Sequence, residues 1–198
     1  MKTSVRLLVA ALATLSAACA TTQGSKTAVK PQELAGTWSS PTCESIGNNN
    51  YIQRHFTLTD NTWELNLHAF GDAQCQAKLF TARIQGPYTL VQDSALVTGA
   101  TEGNFGFGEI YMTPHIQPLA DAFQNGKCGS GTWKVGEEQR TTDTGCLFFK
   151  PTSACATDHD LVKVEGDQLF FGQRPADNDM CSADKRPTAL TALPVVKR

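Results

Sequence analysis

Apolar and polar residues alternate along most of this chain, and turn-forming residues interrupt the alternation about every eight to twelve positions, the signature of antiparallel strands in a sandwich or barrel. In 51–59, Ile52, Arg54, Phe56 and Leu58 share one face and Tyr51, Gln53, His55 and Thr57 the other. Asp60-Asn61 turns the chain into 63–70, which sets Trp63, Leu65, Leu67 and Ala69 against Glu64, Asn66 and His68. Side chains of a strand point to alternate faces, so both segments read as half-buried strands. The same reading gives strands at 34–40, 79–85, 88–92, 95–99, 109–113, 133–135, 145–150, 161–164, 168–171 and 188–196. Gly86-Pro87 fits either a bend within one long strand or a turn between two.

Two stretches depart from simple alternation. Gly103-Asn104-Phe105-Gly106-Phe107-Gly108 alternates glycine with large groups. That pattern suits a strongly curved strand approached closely by another backbone or a ligand. It is not a dinucleotide fingerprint, because no helix follows to receive a phosphate. One short helix is expected near 118–125, with Pro118 in the first turn, Leu119, Ala122 and Phe123 on one face, and Gly126 as a stop.

Composition narrows the classes. The 198 residues carry 17 Lys+Arg against 19 Asp+Glu, a formal net charge of -2, which leaves no basic footprint for nucleic acid. Lys2, Arg6 and the apolar run 7–15 read as an export leader, too short for a membrane span. Ordinary cleavage after Ala18-Cys19-Ala20 would remove residues 1–20. Leu15-Ser16-Ala17-Ala18-Cys19 instead resembles a bacterial lipobox, with 1–18 as signal peptide and Cys19 as lipid anchor, and this is the preferred reading. Residues 19–30 then form a polar tether and 31–198 the domain. Without Lys2 and Arg6 the balance is 15 against 19, or -4. The expected location is the bacterial cell envelope, membrane-anchored and facing the periplasm, or else periplasmic or secreted.

Both cleavages leave Cys43, Cys75, Cys128, Cys146, Cys155 and Cys181 in the domain. An even count in an exported chain, without CxxC or Cys/His ligand spacing, points to disulfides over metal or redox chemistry. Hairpin reversals bring the loops holding Cys43 and Cys75 to one end of the sheet, so these two are expected to pair. Cys128 with Cys146 and Cys155 with Cys181 is favoured for the rest, and Cys146 with Cys155 and Cys128 with Cys181 stays open.

Candidate binding residues are the aromatics on apolar strand faces: Phe56, Trp63, Phe80, Phe105, Phe107 and Trp133, with Phe149 beside them. In a closed small barrel they fill the interior; in an open one they line a groove for an acyl chain. Phe105 and Phe107 are the leading pocket candidates, since the glycines around them leave room. No catalytic motif stands out. His55, His68, His115 and His159 are scattered, no GxSxG occurs, and Ser130 sits in a cysteine-flanked loop. Asp158-His159-Asp160 and Asp177-Asn178-Asp179 lack the ligand positions of a calcium loop and read as polar turns. No metal or cofactor is expected.

Several of these landmarks stand together in one known family. Trp38-Ser39-Ser40 with Cys43-Glu44, Arg54-His55-Phe56, Cys75 with Leu79-Phe80-Thr81, Gly86-Pro87-Tyr88 and Gly99-Ala100-Thr101-Glu102 resemble the adenomatosis-polyposis-coli-down-regulated (APCDD) domain. The likeness runs on through Thr113-Pro114, Cys128-Gly129, Trp133, Gly145-Cys146 and Arg186-Pro187-Thr188, over about 34–196. The animal members are membrane-bound Wnt inhibitors with two such domains, whereas this sequence shows one behind a bacterial-type leader. The resemblance implies an all-β fold: an antiparallel, partly open β-barrel with one short helix, stapled by disulfides, whose apolar interior accepts a fatty-acyl chain. The expectation is therefore a non-catalytic envelope protein binding an acyl lipid or other apolar small molecule, with no nucleic-acid partner and no named protein partner. A structural or interaction module with a filled core is the alternative, and an envelope hydrolase the third.

Overall fold

The structure is a computed structural model that describes residues 28–198. The expected leader, Cys19 and the expected tether as far as position 27 lie outside the described residues.

The alternating segments form β1 (Gly36–Ser39), β2 (Glu44–Gly47), β3 (Asn50–Leu58), β4 (Thr62–Phe70), β5 (Lys78–Asp93), β6 (Thr101–Gly106), β7 (Glu109–Pro114), β8 (Gln139–Arg140), β9 (Thr157–Glu165), β10 (Gln168–Phe171) and β11 (Val195–Lys197). Every pairing is antiparallel, and eight strands close a ring in the order β1, β3, β4, β5, β6, β9, β10, β11 and back to β1. The expected antiparallel barrel is present, and its ladder is complete where a partly open one was anticipated. The last strand, β11, joins β10 to β1 and so removes the edge that an open sheet would leave unpaired. Outside the ring, β2 extends β3, β7 continues β6 along β5, and β8 borders β7.

Gly86-Pro87 is a bend inside one 16-residue strand. A Cβ at Gly86 would fall 2.0 Å from the Gly106 carbonyl oxygen and 2.8 Å from the Gly108 nitrogen, so only glycine lets β5 fold over this point. The glycine alternation of 103–108 thus marks a close backbone approach, as expected. Trp63 Nε1 donates to the same Gly106 carbonyl at 3.0 Å.

Inside the ring, aromatic side chains form a continuous stack. Tyr88 and Phe105 lie 5.6 Å apart, Phe105 and Phe171 6.0 Å, and Phe171 and Phe56 4.6 Å, with Trp63 edge-on to Phe105 at 5.5 Å. The lower end is sealed by Val29 and by Leu34 of α1 (Pro31–Leu34), both buried in this core. Trp38 Nε1 donates to the Leu34 carbonyl at 2.7 Å, and the Val29 amide donates to Thr101 Oγ1 at 3.0 Å. The expected tether therefore ends in residues docked on the barrel.

A second core covers the upper part of β4, β5 and β7. Here α2 (Gln117–Asn125) and the loop after it bring Ala120, Phe123, Cys128, Trp133 and Cys146 onto Ala69, Phe80, Ala82 and Met112. Pro118 and Gly126 bound the helix as read from the sequence, but Ala122 is exposed and Ala120 takes the buried place. Leu119, Ala120 and Phe123 are spaced three and four apart and so share the face toward the sheet. The expected strands at 95–99, 133–135 and 145–150 are loops; in the last, only a bridge between Cys146 and Phe149 forms. Three disulfides staple these loops: Cys43–Cys75, Cys128–Cys146 and Cys155–Cys181, the favoured pairing.

Polar groups also enter the ring. Asp158 and Asp160 pair with Phe105 and Gly103 across β9 and β6, which turns both carboxylates inward. Asp160 Oδ1 accepts from the amides of Leu161 (2.7 Å) and Gly172 (2.9 Å), and Asp158 accepts from Arg174 at 2.7 Å. Arg186 donates to the carbonyls of Gly103 and Asp160 and to Asn104 Oδ1, and pairs with Glu102. This guanidinium ties the closing loop to β6 and β9.

Phe105→Ala opens a void at the centre of the aromatic stack and is expected to cost about 3 to 5 kcal/mol in urea denaturation. Burial pushes the Asp160 carboxyl up to about 7, against the help of Arg174. The folded chain then holds a proton that the unfolded chain releases above about pH 4, so stability should fall as pH rises from about 4 to 7, by up to about 1.4 kcal/mol per pH unit. Asp160→Asn keeps the acceptor without the charge. Denaturation curves across this range should flatten in that variant.

A candidate ligand-binding rim

Strand register sets out the inward face of the sheet row by row. Phe56, Leu65, Ile84 and Ile110 form one row, Arg54, Leu67, Ala82 and Met112 the next, and Ile52, Ala69, Phe80 and Pro114 the uppermost. In the first row only Leu65 is not fully buried. Moving upward along β3 and β4, Ile52, Arg54 and Leu67 are also half-buried, so the apolar face comes toward solvent at this end.

The most exposed large apolar side chains nearby frame the same end. Ile46 lies on β2, beside the start of β3, and is 58% exposed. Leu193 is 43% exposed, and its carbonyl accepts from Arg54 Nη2 at 2.7 Å. Leu147 and Phe148 are about half exposed at the tip of a turn closed by reciprocal backbone bonds between Cys146 and Phe149. The Phe148 ring lies 6.3 Å from Phe80 and 4.4 Å from Phe149, which packs on both cores. Leu147 holds φ 53, a left-handed conformation that L residues other than glycine and asparagine seldom adopt. The Cys128–Cys146 disulfide anchors this turn with its apolar tip outward.

One charged pair stands in the rim. Arg54 occupies an inward position of β3 and meets Glu44 of β2 through two nitrogens, Nε at 3.0 Å and Nη2 at 2.9 Å. Both side chains are largely buried, at 13% and 4% exposure. The pair is neutral as a unit, and Arg54 Nη1 has no hydrogen bond among the described residues. The rim thus combines apolar side chains with one polar donor, which suits an apolar ligand that carries a carbonyl or phosphate oxygen.

The aromatic candidates divide among three places. Phe56, Trp63 and Phe105 meet in the central stack, where they are buried with Tyr88 and Phe171. Phe80 and Trp133 lie in the second core, joined through Phe123 at 6.4 and 5.0 Å. Phe107 sits at the break between β6 and β7, half-buried and 6.1 Å from Trp63. Glu44, Ile46, Phe148 and Leu193 were not singled out from the sequence. Arg54 was visible as a cation on an otherwise apolar strand face, a signal that could have been followed.

The remaining candidates also have places. Asp179 pairs with Lys150 and Lys185, and Asp158 with Arg174, so both acidic clusters are engaged by cations, and 158–160, read as a polar turn, lies on β9. Among the described residues, no group of three or more His, Cys, Asp or Glu could hold a metal ion. No helix among the described residues is long and apolar enough to cross a membrane. Of the histidines read as scattered, His159 lies against Arg186, while His55, His68 and His115 come together on the outer face of the sheet.

A sequence model of the family described as Adenomatosis polyposis coli down-regulated 1 matches residues 17–144. The match covers well over half of the chain and takes in β1 to β8, α2 and the rim residues Ile46 and Arg54. It ends before Leu147 and before β9 to β11, the strands that complete the ring.

Removing one partner of a buried ion pair leaves the other charge uncompensated. Arg54→Ala is therefore expected to cost about 3 to 5 kcal/mol in thermal or urea unfolding, and Arg54→Ala with Glu44→Ala together clearly less than the sum of the two single changes.

Proposed function

Since the chain belongs to the adenomatosis polyposis coli down-regulated 1 family, we propose that it is an exported, non-catalytic module that binds an acyl-type ligand at the rim of a filled barrel. The observation that carries this reading is that Ile46 beside β3, Leu193 at Arg54 and Phe148 near Phe80 are exposed on segments bordering the end of the sheet where Ile52 and Leu67 are half-buried. An acyl chain laid along this face gains about 0.8 kcal/mol for each methylene taken from water. The aromatic stack fills the ring interior with side chains, which favours a ligand above Phe56 and Phe105 over one among them. Arg54 faces the polar end of the ligand. Three disulfides support an oxidising compartment, and Cys19 as a lipid anchor would hold the module on the bacterial envelope.

A second reading is favoured by the same filled interior: the rim receives an apolar segment of another envelope protein. Both readings use Phe148, and they differ in what a lipid can do alone. A long-chain fluorescent acyl probe should bind the purified chain saturably, and Phe148→Asp should weaken it by about tenfold or more, equivalent to about 1.4 kcal/mol. The melting temperature should change little, because Phe148 is half exposed. Absence of saturable probe binding to the unaltered chain would sink the lipid reading and leave the protein-interaction one.

A further inference from the structure

The outer face of the barrel carries a cluster that the rim does not use. Gln53, His68, Thr81 and Thr113 form one row across β3, β4, β5 and β7, and His55 stands one row away on β3. The His55 and His68 rings approach to 5.3 Å between centroids. His115, just past β7, completes a chain of contacts. Ser39 Oγ lies 2.9 Å from His55 Nδ1, His68 Nδ1 lies 3.0 Å from Thr81 Oγ1, and Thr81 Oγ1 lies 2.8 Å from His115 Nε2. A threonine hydroxyl has one proton, so Thr81 donates to one imidazole and accepts from the other. His55 Nε2, His68 Nε2 and His115 Nδ1 have no hydrogen bond among the described residues, and no buried side-chain nitrogen or oxygen there lacks a partner. Those three ring nitrogens therefore reach the surface.

The charged side chains that bear on the three imidazoles are cations. Lys78, at the start of β5 with its ammonium 5.9 Å from the Phe70 ring centroid, acts on all three histidines, and Arg198 acts on His55. No carboxylate acts on any of the three. The neighbouring acids and cations on this side are otherwise engaged. Glu64 accepts from Asn66, Arg83 pairs with Glu138 and stacks on Tyr111, Arg140 pairs with Glu109 and Asp143, and Asp72 takes the backbone amides of Gln74, Gln76 and Ala77. Burial and the cations hold all three imidazoles below the usual histidine range, His68 at about 4. Imidazoles with ring nitrogens at the surface beside a lysine, and engaged by no carboxylate, suit a negative group.

We propose that this outer face is a proton-linked oxyanion site, in which His55, His68, His115 and Lys78 receive a phosphate-type group. An anion over the His55–His68 pair offsets the repulsion from Lys78 and Arg198. It also turns each free ring nitrogen, once protonated, into a charge-assisted donor. Binding then takes up protons, and affinity rises as pH falls. The same chemistry fits inorganic phosphate and the phosphodiester of a lipid headgroup. Among the described residues the three histidines do not form a group that could hold a metal ion, and a cation would meet the field of Lys78.

The test is a histidine titration by NMR on the purified chain, in inorganic phosphate and in chloride of matched ionic strength. The His68 and His55 midpoints should rise by about one pH unit in phosphate, an about tenfold preference of the anion for the protonated ring. Lys78→Gln, at an exposed position, should remove most of that rise without altering the fold, and His115→Gln should reduce it. Vesicles with and without phosphatidylglycerol give the second arm. Retention at pH 5 only by the acidic vesicles would assign the site to a lipid headgroup, and a phosphate effect without retention would assign it to the free ion. Equal midpoints in phosphate and chloride together with no retention by acidic vesicles, a phosphate effect untouched by Lys78→Gln, or zinc ions displacing the phosphate effect would overturn the proposal.

Discussion

An eight-stranded ring encloses a space only about as wide as the side chains that point into it, so what fills the ring decides what the molecule can hold. Here Tyr88, Phe105, Phe171 and Phe56 fill it as a stack, with Trp63 packed on its side. These residues come from β3, β4, β5, β6 and β10, so contacts such as Phe56 with Phe171 and Trp63 with Phe105 tie together strands remote in sequence. Closure and filling depend on one another. The ladder closes because β11 joins β10 to β1, and the interior then has a fixed cross-section for the aromatics to match.

Filling the ring moves binding capacity to its ends. Val29 and Leu34 seal the lower end, while the segment after β7 covers most of the upper. That segment contains α2 and the Cys128–Cys146 disulfide, and its core residues Phe123 and Trp133 lie over Phe80. It leaves less covered the part of the face that β3 provides, where Ile52 is half-buried, with Leu67 of β4 half-buried at the border. The apolar rim is the remainder of a surface that the chain buries almost everywhere else. The neutral pair of Arg54 and Glu44 can stand in it because each charge is met directly by the other.

The outer surface follows a different logic. The alternation that sends Phe56 and Leu65 inward sends His55 and Asn66 outward, and register across β3, β4 and β5 sets His55 near His68 and Thr81. The same strands therefore carry an apolar face on one side and a polar, histidine-bearing face on the other. On the proposed reading, an acyl chain and a phosphate-type group are met on opposite sides of the sheet without either site disturbing the stack between them.

Much of the fold was legible in the residues themselves. Alternation located β3, β4 and the β9–β10 hairpin, Pro118 and Gly126 bounded α2, and hairpin order favoured Cys43 with Cys75. Glycines at 103, 106 and 108 announced a close approach, because glycine in a strand interior has little other use. The short pieces β2, β8 and α1 were not legible, since two to four residues carry too little periodicity to separate strand from loop. Filler and ligand contact were equally hidden: Phe56, Phe105 and Phe107 look alike along a strand, and only closure decides which of them water can reach. Arg54 and Glu44, ten residues apart, and His68 and His115, farther still, meet only through cross-strand register. Local alternation determined which side each residue faces, a property of two neighbouring peptide units. Which faces meet, how tightly the ring closes and what remains exposed at its rim were decided by long-range pairing, where the partner of each strand is chosen by the fit of the whole interior.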